Sequence, residues 1–233
     1  MNEEALVFTD GAAKGNPGPG GWAAILAEGD TVTELGGHEP HTTNNRMELT
    51  AAIMALENSK AAAPALFTDS SYLINGITKW VPSWQRRGWQ TIKKENVLNR
   101  DLWEALAVLT AKKNISWHYV GGHVGVPGNE RTDAIATAFA DGKHTRLFKG
   151  TRRDYPVNLT KLAGIEASEN KKNHSRAKAY SYVSLVNGEI RRHDTWASCE
   201  AAVRGKPNAR FRKVTSAREE SALIADWKKS LRQ

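Results

Sequence analysis

The chain has almost no cysteine. Cys199 is the single thiol among 233 residues, so no disulfide can form within the chain, and a reducing compartment is expected. There is no apolar run of about 18 residues and no leader-like pattern, so no membrane partner and a cytoplasmic location are the expectations. Acidic residues are outnumbered over the second part of the chain. Residues 1–145 carry 13 Lys/Arg against 16 Asp/Glu, residues 146–178 carry 9 against 3, and residues 179–233 carry 11 against 6. The net charge of +8 therefore belongs to the second part of the chain, behind a mildly acidic first part. Such a basic excess favours polyanions through counterion release. Apolar residues at 40% and eight tryptophans are ample for a packed core, and the length suits one large domain or two small ones.

The first part is organised around Leu6–Trp22. Ala5–Phe8 reads as a buried strand that closes on Thr9-Asp10-Gly11. The cluster Gly15-Asn16-Pro17-Gly18-Pro19-Gly20-Gly21 reads as a tight hairpin connection to a second strand, Trp22–Leu26. A third strand, Thr31–Leu35, is expected to break at Gly36-Gly37. A helix follows from Arg46, capped by Asn44 or Asn45, with Glu48, Ala51, Ala52 and Ala55 along one face. A glutamate on a narrow alanine stripe is unusual, because burying an unpaired charge is expensive. Ala65–Thr68 is a further strand, and it closes on Asp69 as the first closes on Asp10. Ser70 caps the helix after it. In largely parallel sheets, ligands gather beyond the carboxyl ends of strands.

Lys79–Arg100 holds six basic residues, among them Arg86 and Arg87, against the single acid Glu95, with Trp80, Trp84 and Trp89 interleaved. Cations that meet phosphates and rings that pack on sugars or bases suit a nucleic acid. Asp101–Ala111 reads as a helix and Ile115–Val120 as a strand. His123 then lies among glycines, an accessible proton carrier near neutral pH. From Asn129 a helix places Glu130, Asp133 and Thr137 on one face.

Taken together, residues 5–140 resemble type 1 ribonuclease H. The motifs are Thr9-Asp10-Gly11 with the glycine-proline cluster, Thr43-Asn-Asn-Arg-Met-Glu-Leu49, Thr68-Asp-Ser70, Trp84-Gln-Arg-Arg-Gly-Trp89 and Gly122–Asp133. The resemblance implies an α/β fold with a mixed five-stranded sheet flanked by helices. It also implies an endonuclease that hydrolyses the RNA strand of RNA–DNA hybrids and leaves 5′-phosphate and 3′-hydroxyl ends. Asp10, Glu48, Asp69 and Asp133 would be the catalytic carboxylates and metal ligands, with Asp10 bridging two Mg²⁺ ions. Mn²⁺ would be able to substitute. Two ions about 3.5–4 Å apart can activate water and stabilise the leaving oxygen, and they offset four like charges that would otherwise repel. His123 would assist proton transfer or product release, with Glu130 in support. Asn16, Asn44 and Ser71 would follow the RNA strand. Thr43 and Asn99 would grip a DNA phosphate. Trp80 and Trp84 would line the DNA sugars, with Arg86 and Arg87 on the basic protrusion. His41 departs from the arginine usual near that phosphate pocket.

The catalytic domain is expected over 1–160, with Leu147, Phe148, Tyr155, Val157, Leu159 and Leu162 packing back on it, and a basic linker over 161–178. Residues 179–233 read as a small ββαβα domain. Two strands flank the Asn187-Gly188 turn, Thr195 caps a helix from Trp196, Arg210–Val214 is a third strand, and Ser216–Leu231 is a second helix. This order, with Thr195-Trp196, Cys199, Ala209–Lys213 and Glu219-Glu220, is similar to the hybrid-binding domain of many ribonucleases H and of a caulimovirus inclusion protein. There the domain usually precedes the nuclease; here it follows. The resemblance implies that Trp196 and Phe211 meet the DNA strand and that Arg212 and Lys213 meet phosphates. Double-stranded RNA is a second ligand open to this domain, and a monomer is expected. The competing readings are an integrase-like transferase on the same fold and a catalytically inert hybrid- or duplex-RNA-binding protein. The basic protrusion and His123 argue against the first, and the full set of four carboxylates against the second.

Overall fold

The computed structural model describes residues 5–121, 125–143, 145–162 and 179–231. The chain divides into two compact units, residues 1–168 and 169–233. Of the expected linker, residues 163–178 lie outside the described residues.

The first unit is a mixed sheet between helical layers. Its strands are β1 (Leu6–Ala13), β2 (Gly18–Glu28), β3 (Thr31–Thr42), β4 (Ala65–Thr68), β5 (Ser116–Tyr119) and β6 (Lys149–Thr151), in the order β5-β4-β1-β2-β3-β6. β1, β4 and β5 run parallel, and the remaining pairs are antiparallel. The helices are α1 (Asn44–Asn58), α2 (Ser71–Asn75) running through a π-helical turn (Gly76–Trp80) into α3 (Val81–Arg86), α4 (Arg100–Thr110) and α5 (Pro127–Ala140). Side chains alternate along β1. Val7 enters a core with Leu49, Leu56, Trp103 and Leu106 of α1 and α4. Leu6 and Phe8 enter another with Ile25, Val32, Phe67, Val126, Tyr155 and Leu159.

The sheet has six strands, not the expected five. The sixth, Lys149–Thr151, pairs antiparallel with Thr31–Thr33. The apolar residues that follow α5 do pack back, with Tyr155 and Leu159 buried and Phe148 half-buried beside them. Two glycine readings are also corrected. Gly18–Gly21 belongs to β2, and Gly36-Gly37 lies inside β3 rather than breaking it. A Cβ on Gly21 would sit 2.2 Å from the Ala136 carbonyl oxygen, and one on Gly36 would sit 2.4 Å from the Phe139 ring. These glycines let α5 lie against the sheet, the other meaning of glycine in a strand. The cap of α1 is Thr43 rather than Asn44 or Asn45; its Oγ1 accepts from the Arg46 N–H at 3.4 Å.

The second unit is a three-stranded antiparallel sheet, β8-β7-β9, with β7 at Ser181–Val186, β8 at Glu189–His193 and β9 at Arg210–Val214. Asn187 and Gly188 both take positive φ between β7 and β8, as the two-residue turn requires. Helix α6 (Trp196–Val203) is capped by Thr195, and α7 (Ala217–Ser230) by Ser216. Val183, Leu185, Val214, Leu223 and Trp227 form its core. Among the described residues, no helix is long and apolar enough to cross a membrane.

Candidate active site

The parallel pairing of β1 with β4 matches Phe8 to Phe67. Two residues further on stand Asp10, inside β1, and Asp69, just past the end of β4, so the shared register brings both carboxylates to the same end of the sheet. Helix α1 crosses this end closely. A Cβ on Gly11 would lie 2.2 Å from the Glu48 backbone nitrogen, so only glycine permits the approach that brings Glu48 in. One carboxylate oxygen from each of Asp10, Glu48 and Asp69 lies within 4.8 Å of the other two. With Gly11, Asn44, Asn129, Glu130 and Asp133, they line a cleft of about 310 Å³. Asp133 sits on α5, where its Oδ1 accepts from the Thr137 hydroxyl at 3.5 Å. The four expected carboxylates thus share one cleft, three of them tightly. His123 lies outside the described residues.

Among the described residues, no cationic side chain offsets the charge of the cleft. Asp10 and Glu48 are each only 5% exposed. Burial pushes Asp10 up to about 8, Asp69 and Asp133 push the same way, and the Gly11 N–H bonded to Oδ1 at 2.7 Å pulls back. Burial, then Asp10 and Asp69, hold Glu48 well above the usual carboxylate range. Oε2 of Glu48 is buried with no hydrogen-bond partner among the described residues. No lysine or arginine lines the cleft among those residues. Buried carboxylates require a counter-charge, and hard oxygen donors with one orphaned oxygen fit a hard divalent cation.

A second feature is the basic aromatic groove. Trp80, Ser83, Trp84, Ile92, Lys79, Arg87 and Lys93 line a cleft of about 590 Å³, with Glu95 its one acid. The Trp80 and Trp84 rings lie 5.7 Å apart. Arg86 is exposed beside the groove but does not line it. Arg46 joins the two residues of the expected phosphate grip. Its backbone N–H bonds Thr43 Oγ1, and its guanidinium bonds Asn99 Oδ1 at 3.4 Å and Asp101 through two oxygens at 3.0 and 2.7 Å. Asn99 is held from the other side by the Tyr72 hydroxyl at 3.3 Å. Of the three residues expected along the RNA strand, Asn44 lines the acid cleft, while Asn16 and Ser71 are exposed outside it.

In the second unit, Trp196 and Phe211 are 39% and 53% exposed, with ring centroids 5.1 Å apart, and Tyr182 lies 5.7 Å from Trp196. They are not core residues. Strand register places Tyr182 opposite Lys213 and Ser184 opposite Phe211, so Lys213 shares the aromatic face. Arg212 stands opposite buried Val183, on the other face.

Sequence reasoning passed over two groups. Asn129, expected only to start a helix, is buried in the acid cleft and donates to Asp69 Oδ2 at 3.4 Å. Glu34 on β3 has a fully buried side chain that accepts from Arg131 Nε at 2.7 Å and NH2 at 2.8 Å, from Tyr155 OH at 2.7 Å and from the Phe148 N–H at 2.9 Å. This network ties α5 and the segment behind it to the sheet.

A carboxylate cluster at the carboxyl end of a mixed sheet, beside a cationic aromatic groove, marks a hydrolase of the nuclease class. The comparisons with known proteins agree. The RNase H family profile matches residues 2–141. The chain is 52% identical over 152 residues to a ribonuclease H of Cyanothece sp., covering 63% of this chain and 96% of that one. It is 53% identical over 135 residues to ribonuclease HI of Pseudomonas aeruginosa, covering 58% of this chain and 91% of that one. Among solved structures, LC9-RNase H1, described as a type 1 RNase H with the type 2 active-site motif, is similar at 25% identity and a TM-score of 0.58, covering 70% of this chain and 85% of that one. The chain belongs to the RNase H family, and it is an enzyme, a nuclease.

Proposed function

We propose that the first unit hydrolyses the RNA strand of RNA–DNA hybrids, leaving 5′-phosphate and 3′-hydroxyl ends. The observation that carries this reading is the cluster of Asp10, Glu48 and Asp69 oxygens within 4.8 Å, in a cleft with Asp133 and no cationic side chain among the described residues. The names of the ribonuclease H relatives support the substrate. Asp10, Glu48, Asp69 and Asp133 would hold two Mg²⁺ ions. When bound, these ions would offset the clustered charge and supply the Lewis acidity that activates water and stabilises the leaving oxygen.

The remaining work falls to the chain itself. The buried strand ends and α1 hold the carboxylates in fixed positions, so little ordering is left for the moment of reaction. Asn44 meets the RNA strand beside the cleft, with Asn16 and Ser71 further along it, where a 2′-hydroxyl distinguishes RNA from DNA. Thr43 and Asn99, linked by Arg46, grip a DNA phosphate, and Trp80 and Trp84 take the DNA sugars. Arg86 and Arg87 draw in the backbone. His123 carries protons to or from the reacting phosphate.

In this reading the second unit is a hybrid-binding module. Trp196 and Phe211 pack on the DNA strand, and Lys213 and Arg212 contact phosphates from the two faces of β9. Tethering raises the local concentration of substrate at the nuclease, so the module acts on KM and product length more than on chemistry. The test is a labelled RNA–DNA hybrid incubated with and without Mg²⁺, beside an Asp10→Asn variant. Metal-dependent cuts in the RNA strand that vanish in the variant are expected. Binding without cleavage would overturn the enzyme reading in favour of a binding protein. A chain lacking residues 179–233 is expected to show a higher KM on long hybrids; an unchanged KM and product length would remove the module from the account.

A further inference from the structure

Asp69 stands outside the regular elements that carry its neighbours in the acid cleft. Asp10 lies inside β1 with its Oδ1 on the Gly11 N–H, and Glu48 is carried by α1, whereas Asp69 follows the last residue of β4. Among the described residues, one hydrogen bond reaches the Asp69 carboxylate, from Asn129 Nδ2 to Oδ2 at 3.4 Å. The backbone of Asn129 is held firmly. A Cβ on Gly128 would sit 2.7 Å from the Phe8 ring, so the first turn of α5 lies close against β1, near Asp10. The buried Thr132 hydroxyl closes that turn on the Gly128 and Asn129 carbonyls at 3.2 and 2.9 Å.

The fold itself gains little from the Asn129 side chain. Asn129 is 4% exposed, and its Oδ1 is buried with no hydrogen-bond partner among the described residues. Asparagine suits a helix cap, but the cap of α5 is Val126, which makes no side-chain bond. A buried amide with an orphaned oxygen costs free energy, and an apolar side chain of similar shape would avoid that cost. Positions that break a local rule without a structural return are where function is to be sought. The amide meets a requirement of the cleft instead. A carboxylate only accepts hydrogen bonds, so the NH₂ end of the amide faces Asp69. A lysine in that place would compete with a cation for the carboxylates, and a fifth carboxylate would add repulsion. A neutral donor orients Asp69 and leaves the charge of the cluster intact.

We propose that Asn129 is a positioning residue of the acid cleft, holding the Asp69 carboxylate in place for a divalent cation. The inference rests on the metal-dependent reading above and adds to it a residue outside the four carboxylates. Partners that orient ligating carboxylates from behind set metal affinity or activity by roughly 10- to 100-fold.

The test compares the unmodified chain with Asn129→Leu, close in shape, and Asn129→Ala. The thermal midpoint is followed across a Mg²⁺ titration that starts from metal-free protein. Cleavage kinetics are measured on a labelled RNA–DNA hybrid at one fixed Mg²⁺ concentration. In Asn129→Leu the metal-free midpoint should stay level or rise, because an orphaned polar atom is removed. The Mg²⁺ concentration at which the midpoint begins to climb should rise roughly 10-fold or more. kcat should fall roughly 10- to 100-fold, with KM moved by less than about 3-fold. A role confined to packing gives the reverse pattern, a lower metal-free midpoint with an unchanged Mg²⁺ response, and that result would overturn the proposal. A Mg²⁺ response and kcat equal to those of the unmodified chain would overturn it too. Asn129→Ala is expected to show the same weakened Mg²⁺ response, and it carries the test if Asn129→Leu does not fold. An unmodified chain whose midpoint ignores Mg²⁺ and that leaves the hybrid uncut would remove the underlying reading, and this proposal with it.

Discussion

Two groups of buried carboxylates in the first unit stand in opposite situations. Glu34 is surrounded by donors: the Arg131 guanidinium, the Tyr155 hydroxyl and the Phe148 N–H. Although burial works against it, these bonds hold its carboxyl below the usual range. Asp10 and Glu48 have mainly each other, Asp69 and one backbone N–H, and burial pushes both upward. Where the protein supplies the counter-charge, the acid is a fastening between sheet, helix and following segment. Where the described residues offer none, as at the acid cleft, the carboxylates could hold a cation from outside.

The largest effect expected from breaking this contrast is on catalysis. Asp10→Asn should reduce RNA cleavage by about 10³-fold or more, measured as kcat on a labelled hybrid in Mg²⁺. Next in size is the fastening. Glu34→Gln leaves Arg131 without its counter-charge and should lower unfolding free energy by about 3 kcal/mol in a denaturant titration. Its effect on cleavage per folded molecule should be small, because Glu34 is not in the acid cleft.

The pH dependence should have opposite signs at the two places. The folded-state value for Asp10, about 8, lies above its ordinary 3.8, so between those values the folded chain holds a proton that the unfolded chain has released. Stability of the metal-free protein therefore falls as pH rises from about 4 to about 8. Asp10→Asn should raise stability at pH 8 by roughly 1–3 kcal/mol and flatten that fall. Glu34 is lowered from 4.5, so its contribution is present above that pH and is lost as pH drops through its folded-state value. Thermal midpoints from pH 3 to 9 for the unmodified chain, Asp10→Asn and Glu34→Gln would separate the two slopes. The smallest effect concerns the second unit, whose exposed aromatics carry little of the fold. Trp196→Ala should raise KM on a long hybrid roughly 3-fold, by loss of one stacking ring, with no more than about 1 kcal/mol change in stability.

Much of the acid cleft was legible in the sequence because its signal is local. Two Thr-Asp-small-residue runs behind short apolar stretches, and a glutamate on an alanine stripe, state their chemistry within a few positions, although β1 continues past Asp10 to Ala13 instead of closing on it. The glycines were read less well. Gly36 and Gly21 serve as turn residues in one context and as room for a helix in another, and only Phe139 and Ala136, remote in the chain, decide between them. The sixth strand is three residues long and has no apolar pattern of its own. Glu34 carries no local signal in its strand, since Arg131 and Tyr155 lie 97 and 121 residues away. Asn129 reads in the sequence as a helix start, but α5 already begins at Pro127, and the place of Asn129 beside Asp69 follows from how α5 docks on the sheet. In the second unit the turn, caps and strands were plain, while the opposite facing of Arg212 and Lys213 follows from β-strand alternation once the register with β7 is known.

A divalent cation would supply the counter-charge that the Asp10–Glu48–Asp69 cluster lacks among the described residues. The most direct test is the thermal midpoint at pH 8 across a Mg²⁺ titration, for the unmodified chain and for Asp10→Asn. The unmodified midpoint should climb with Mg²⁺ as binding to the folded state adds stability, and the variant should start higher and respond weakly. A midpoint indifferent to Mg²⁺ in the unmodified chain, or an equal response in both proteins, would contradict it.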